Sequence, residues 1–281
     1  MKFHKIRSYA KINLSLGVLG KLKSRIHKIE SIVSFIDLHD EIFIREHKQD
    51  NHKIIFLGKF SKGIQKNNTI SKLLNILDLK KKLNNKKYFI KVKKNIPQKS
   101  GLGGGSMNAA FLLSFFLKKK IIRISEKEIF NTCNQIGSDV FLGIDKKNSI
   151  LVNNKTVKKY NTKIGLFTIL IKPNKGCSTK EIYKRVKNFS KNRIKISSKV
   201  FKIETLKYSQ NDLEKPAFKL YPTLRRLKLF LSNVKSVKFV RMTGSGSVIV
   251  AYFSNKKTAI NALNLTKKNF KNYWSILSKT I

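Results

Sequence analysis

The sequence predicts an α+β fold in two domains. Strand patterns and helical patterns are mixed along the chain without regular alternation, and no motif of the first half recurs in the second. A polar stretch without periodicity, residues 155–163, separates the halves, so residues 1–158 are read as the N-terminal domain and 159–281 as the C-terminal one. The 281 residues suffice for two cores, since domains typically run about 100–200 residues.

Residues 8–19 alternate apolar and polar side chains, the period of a half-buried strand. Residues 31–38 and 41–45 are predicted as separate strands around a His39-Asp40 turn, and 53–57 as a short strand. Residues 68–79 place Ile70, Leu73, Leu74 and Leu77 at helical spacing. A strand over 88–94 leads through a glycine-rich loop into a helix starting near Ser106, which could be its N-cap. Ser125 with Glu128 three residues on is a capping box for a helix ending at 135. Residues 149–152 close this half as a strand. In the second half, 166–172 read as a strand stopped by Pro173, 179–187 as a helix, and 216–231 as a helix broken at Pro222. Strands over 237–241 and 248–253 precede a helix over 256–265.

The formal net charge is +46, which raises the question of nucleic acid. Lysine outnumbers arginine 52 to nine and is spread over the whole chain, alongside abundant Asn, Ile and Phe. That pattern fits A/T-biased codons and a solvated surface better than a binding stripe. Basic–aromatic interleaving on a sheet face, the mark of an RNA-binding alternative, is not visible along the sequence. The longest apolar run, 109–117, is too short to span a bilayer, which takes about 20 residues. Lys11 and Asn13 interrupt any signal-like run, so a cytoplasmic protein without membrane or nucleic-acid partners is expected. Cys133 and Cys177 lack metal-ligand spacing and read as structural thiols.

Residues 96–110, IPQKSGLGGGSMNAA, are the most informative stretch. Glycines here permit positive φ and close approach of a large anion to the backbone, and the helix that follows presents unpaired N–H groups. Gly104 is expected to have the least room for a side chain. No Lys-Ser or Lys-Thr follows as in a P-loop, and Ser106 stands where a dinucleotide fingerprint has its helix-packing glycine.

Taken in order, AKINLSLGVLG, IPQKSGLGGGSMNAA and MTGSGSVIVAYF resemble the GHMP small-molecule kinase superfamily. The triple glycine before Ser106, the segment IGSDVFLGI (136–144) and His27 resemble those members that act on a cytidine-diphosphate alcohol. The resemblance implies a ribosomal-protein-like βαβ N-terminal domain and a ferredoxin-like C-terminal domain. It implies ATP as phosphoryl donor with Mg²⁺, and transfer to the 2-hydroxyl of that alcohol in non-mevalonate isoprenoid precursor biosynthesis. A homoserine or mevalonate-type kinase of the same superfamily is the nearest alternative, and a monomer or weak homodimer is expected.

By the same resemblance Asp139 would be the general base, with Lys11 pairing with it and steering the alkoxide. Such a pair at about 4 Å interacts by roughly 4 kcal/mol at an effective dielectric near 20, before desolvation. Asn13, on the strand face of Lys11, would bond the acceptor. Pro97, Lys99, Gly101, Gly103, Gly104, Gly105 and Ser106 would line the ATP phosphates, Ser106 also touching Mg²⁺, while Lys94 and Asn68 fall where the adenosine is held. Gly244 and Gly246 would offer a second backbone approach to substrate. His27 would read cytosine, Tyr183 stack on it, and Thr179 lie near the diphosphate. The chain departs from the family pattern at Ser24-Arg25, Ile26, Lys99, Met107 and Phe141.

Overall fold

The computed structural model describes residues 2–21, 27–153 and 156–281. By contact the chain forms two compact units that interleave in sequence. The first comprises Met1–Lys11, Leu38–Pro97 and Gly103–Lys146; the second comprises Ile12–Asp37, Gln98–Leu102 and Lys147–Ile281. The long strands β1 (His4–Lys21) and β2 (His27–His47) contribute to both.

The turn expected at His39-Asp40 is absent, because β2 runs straight through it. Asp40 is fully buried, and its carboxylate accepts the backbone N–H groups of Asn95 and Ile96 at 2.7 and 2.9 Å and pairs with the Lys94 ammonium. A carboxylate committed to a distant segment does not form the local Asx-turn that would bend its own backbone.

In the first unit β3 (Lys53–Leu57) pairs in parallel with β4 (Lys87–Lys93), which pairs antiparallel with Glu41–His47 of β2. Ile42, Ile44, Ile90 and Val92 face the core, packed with α1 (Thr69–Leu79), α2 (Gly104–Lys118) and α3 (Glu126–Ile136). The four apolar residues at helical spacing in α1 are its buried ones. The sheet's other face corrects the reading of no basic–aromatic interleaving. There Arg45 lies 4.9 and 5.2 Å from the ring centroids of Phe3 and Phe89, and Lys91 lies 4.8 and 5.1 Å from the same rings. Strand β4 itself alternates Lys87, Phe89, Lys91 and Lys93 on this face, and Arg45 of β2 and Phe3 extend the pattern across the sheet. The protein's own cations already sit on these rings.

Helix α2 begins at Gly104, earlier than expected, with Gly103 as its N-cap at φ 69°. Ser106 is therefore the third residue of the first turn and not the cap.

In the second unit β5 (Asn148–Val152) pairs with Ser31–Val33 of β2 and with β6 (Thr156–Tyr160). Strand β6 occupies the stretch read as an aperiodic linker. It ends the strand order, and its exposed lysine-rich pattern suits an edge more than a core. The strands β7 (Phe167–Lys172), β8 (Phe239–Met242), β9 (Ile249–Phe253) and β10 (Trp274–Lys279) form an antiparallel sheet in the order β10-β7-β9-β8. Around them lie α4 (Thr179–Lys184), α5 (Ile203–Tyr208), α6 (Glu214–Leu220), α7 (Pro222–Ser232) and α8 (Lys256–Asn269). Pro222 opens α7 at its first position, where a missing N–H costs nothing, so the expected break falls at Tyr221. Neither β10 nor α5 was expected, and α4 is shorter than its pattern suggested. Ile169, Ile171, Ile249 and Phe253 pack with Leu224, Leu227 and Leu231 of α7 and Ala259, Ala262 and Leu263 of α8.

Candidate active site

In the first unit, Lys11 Nζ lies 3.2 Å from Asp139 Oδ2, with side-chain exposures of 5% and 33%. Asp139 sits in the turn after α3, where Gly137 N–H closes the helix on Cys133 O and Val140 N–H bonds Gly137 O at 3.0 Å. The departures at Met107 and Phe141 are absorbed by packing here. Met107 is fully buried against Gly143, where a Cβ would lie 2.8 Å from its sulfur. The Phe141 ring meets Phe130 edge-on at 5.1 Å.

Lys11 reaches Asp139 beneath the glycine loop. A Cβ at Gly103 would lie 2.9 Å from Lys11 Cγ and 3.1 Å from its Cε. Glycine at 103 therefore serves two needs, a left-handed φ and the passage of the lysine stem. At Gly104 a Cβ would come within 3.0 Å of Ile96 and 3.4 Å of Lys94 Nζ, whereas Gly105 has ordinary clearance. The tightest glycine is Gly101, in the second unit, where a Cβ would lie 2.1 Å from Thr243 O. That corrects the expectation for Gly104: against the protein's own atoms Gly101 has the least room in this loop.

The first turn of α2 has no side-chain cap, unlike α1 and α3, whose N-caps Asn68 and Ser125 accept from their own helix N–H groups. Its leading amides thus remain available to an anion. Ser106 stands in that turn, half-buried, and Pro97 is buried just before the loop. Thr69 Oγ1 donates to Gly105 O at 2.6 Å, tying the start of α1 to the start of α2. Asn68 and Lys94 carry structural duties. Asn68 caps α1 and donates to Gln65 O and Lys66 O, and buried Lys94 pairs with Asp40. Asn68 also lines a cavity of about 530 Å³ with Phe56, Ile64, Gln65 and Ser71.

In the second unit the two glycine loops are hydrogen-bonded to each other. Lys99 O accepts from the Ser247 amide and hydroxyl, each at 3.4 Å, Ser100 O accepts from Val248 N–H at 3.2 Å, and Gly101 O accepts from Thr243 Oγ1 at 3.2 Å. The Lys99 side chain is exposed. Asn13 is buried beside them: its N–H donates to Thr243 Oγ1 at 3.0 Å and its Nδ2 donates to Ser31 Oγ at 2.8 Å. Gly244 and Gly246 both have positive φ, and a Cβ at Gly244 would lie 3.5 Å from Asn13 Oδ1. Asn211 was missed in the sequence. Its buried Nδ2 donates to Met242 O and Gly244 O, each at 2.8 Å, pinning the 243–247 loop. An Asn-Asp pair before a helical run reads only as a local turn, so nothing short of the fold exposes that role.

The same unit brings His27 and Tyr183 together, with ring centroids 4.8 Å apart and planes tilted by 36°. Burial, and to a lesser extent Lys21, lowers the His27 pKa from its ordinary 6.5. A neutral imidazole offers one donor and one acceptor. Thr179, at the start of α4, shares a 2.7 Å hydrogen bond with Ser245 Oγ. Ser24, Arg25 and Ile26 lie outside the described residues.

Among the described residues no group of three or more His, Cys, Asp or Glu side chains could hold a metal ion, and no helix is long and apolar enough to cross a membrane. A lone hydroxyl such as Ser106 suits a Mg²⁺ that arrives on nucleotide phosphates, because that ion keeps most of its ligands from water and phosphate.

The pattern described as GHMP kinases N terminal domain matches residues 68–146, and that of GHMP kinases C terminal matches 201–272. A 4-diphosphocytidyl-2-C-methyl-D-erythritol kinase of Pelagibacter ubique is 54% identical over 100% of both chains. The kinase of that name from Fusobacterium nucleatum is 32% identical, over 89% of this chain and 88% of its own. A crystal structure of 4-(cytidine 5'-diphospho)-2C-methyl-D-erythritol kinase shares the fold with TM-score 0.79 at 18% identity, covering 99% of each chain. Homoserine kinase from Cytophaga hutchinsonii shares it at TM-score 0.70 and 15% identity, over 100% of this chain and 95% of its own. The chain belongs to the GHMP kinases, among the 4-diphosphocytidyl-2-C-methyl-D-erythritol kinases.

Proposed function

We propose that this chain transfers the γ-phosphoryl group of ATP to the 2-hydroxyl of 4-diphosphocytidyl-2-C-methyl-D-erythritol, a step of isoprenoid precursor biosynthesis. The observation that carries the reading is the ion pair of Lys11 with Asp139 at 3.2 Å under Gly103, in a chain 54% identical to a kinase of that name.

Phosphoryl transfer asks a protein chiefly to position groups and balance charge. Asp139 accepts the proton of the attacking hydroxyl at a carboxylate oxygen. The Lys11 ammonium holds that carboxylate in one orientation and stays beside the oxygen that develops charge. The amides at the start of α2 cradle the phosphates, with Lys99, Gly101, Gly103, Gly104, Gly105 and Pro97 shaping the loop, and Asn68 and Lys94 at the adenosine end. Mg²⁺, with Ser106 as its protein contact, neutralises phosphate charge when bound. Asn13, Thr179, Gly244 and Gly246 serve the acceptor, while Tyr183 stacks on the cytosine and His27 bonds its edge.

The same proposal includes a division into domains at residues 158/159 and a cytoplasmic enzyme acting as a monomer or weak homodimer, without nucleic-acid or membrane partners. Light scattering on the eluting protein tests the oligomeric state, and a stable trimer or larger assembly would sink that part. The reaction itself is tested by ³¹P NMR of the product. A new phosphomonoester coupled to the quaternary C2 centre is expected, and a product phosphorylated elsewhere would refute the assignment.

A further inference from the structure

We infer that Glu30 is a positioning residue for acceptor recognition, tying the strand that carries His27 to the segment that follows Tyr183. The inference rests on the proposed reading of His27 and Tyr183 as the base-recognising pair.

Glu30 is 3% exposed and stands three residues beyond His27 on β2. Its Oε1 accepts the N–H of Arg193 at 2.9 Å, and its Oε2 accepts that of Ile194 at 3.4 Å. The neighbouring strand makes room for it: a Cβ at Gly17 would lie 2.9 Å from Oε1. Residues 186–197, after α4, contain no helix or strand. They are fastened at two further points. Ser190 N–H donates to Val18 O at 2.8 Å, and the Asp212 carboxylate accepts from the Ser190 hydroxyl, Val18 N–H and Arg193, at 2.7, 2.8 and 2.7 Å.

These contacts close a circuit. Three residues of β2 lead from His27 to Glu30, two hydrogen bonds cross to residues 193–194, and the irregular segment returns to Tyr183, whose ring lies 4.8 Å from His27. A helix as short as α4, six residues, is not stable by itself and takes its orientation from what holds it. Buried Ile182 anchors its middle, and the ties at Ser190 and Arg193 fix how the chain leaves it. A carboxylate suits the task because it only accepts, and its bonds to amides are charge-assisted. The two amides it holds belong to Arg193 and Ile194 of the segment after α4, so loosening the circuit should alter acceptor binding without altering the chemical step.

The test measures kcat, acceptor KM and ATP KM for Glu30→Ala, Glu30→Gln, Tyr183→Ala and the Glu30→Ala/Tyr183→Ala double variant. Glu30→Ala should raise acceptor KM by about five- to tenfold, with kcat and ATP KM within about twofold of wild type. Glu30→Gln, which keeps one acceptor oxygen, should recover part of that loss. In the Tyr183→Ala background the Glu30 change should add less than about twofold, because the group it positions is gone. The cleft of about 210 Å³ beside Glu30 has space for waters to meet the two freed amides. If Glu30→Ala still fails to fold, Gly17→Ala, which displaces Oε1, should give the same selective rise. The inference is overturned if acceptor KM is unchanged in the Glu30 variants while Tyr183→Ala raises it. It is also overturned if all three parameters move together, or if the two substitutions add fully. If Tyr183→Ala itself leaves acceptor KM untouched, the base-recognising pair falls and the inference falls with it.

Discussion

Lys11 Nζ lies 3.2 Å from Asp139 Oδ2 although the two residues are far apart in sequence, one mid-strand in β1 and the other in the turn after α3. The lysine is the buried partner and the aspartate the reachable one, the arrangement needed for a base that meets substrate while held from behind. Asp139→Asn keeps the shape and loses the base. It should lower kcat by about 10²–10⁴-fold with ATP binding nearly intact by calorimetry. A variant retaining more than about a tenth of wild-type kcat would remove Asp139 as base.

Gly103 is coupled to that pair through the lysine stem, 2.9 Å from where its Cβ would be. Gly103→Ala should therefore act on chemistry more than on nucleotide affinity, lowering kcat by at least about tenfold, with strain of about 1–2 kcal/mol at its left-handed φ. Steady-state kinetics at saturating ATP checks this. An effect confined to ATP KM would show that the loop, and not Lys11, is what the side chain disturbs.

Gly101 and Gly104 should respond differently. Gly101→Ala forces a methyl to within 2.1 Å of Thr243 O at φ +77°, so it should lower thermal stability sharply. Gly104→Val should raise ATP KM or abolish activity while Tm falls less. Calorimetric melting of both variants checks the order, and a Gly101→Ala protein as stable as wild type would contradict it.

The pH dependence of acceptor binding follows from His27, whose pKa is lowered by burial first and Lys21 second. A lowered pKa keeps the ring neutral to a lower pH than an ordinary histidine, and protonation removes its acceptor nitrogen. Acceptor KM should thus rise on acidification, with the rise setting in at lower pH than an unperturbed histidine would give. His27→Gln should flatten the profile. An unchanged acid limb in that variant would assign the titration to another group.

Much of this was legible in the sequence where chemistry is local. Asn68 and Ser125 cap the helices that their neighbours' spacing suggested, and the apolar positions of α1 are its buried ones. What failed depends on distant partners. Asp40 looks like a turn residue until its carboxylate is seen on Asn95 and Ile96. Strand β6 is polar, and only pairing with β5 reveals it. The carbonyl of Thr243 that presses on Gly101 comes from the other glycine loop, so the sequence around Gly101 does not reveal it. Asn211 and Glu30 act on backbone remote in sequence, so no short motif announces them.

Recognition of the cytidyl end of the acceptor is read from kcat/KM of the purified protein with Mg²⁺ and ATP across a panel of alcohols. The value for 4-diphosphocytidyl-2-C-methyl-D-erythritol should exceed those for free methylerythritol, homoserine and mevalonate by about 10²-fold or more, from one stacked ring and the hydrogen bonds of His27. Comparable kcat/KM for free methylerythritol or homoserine would contradict it.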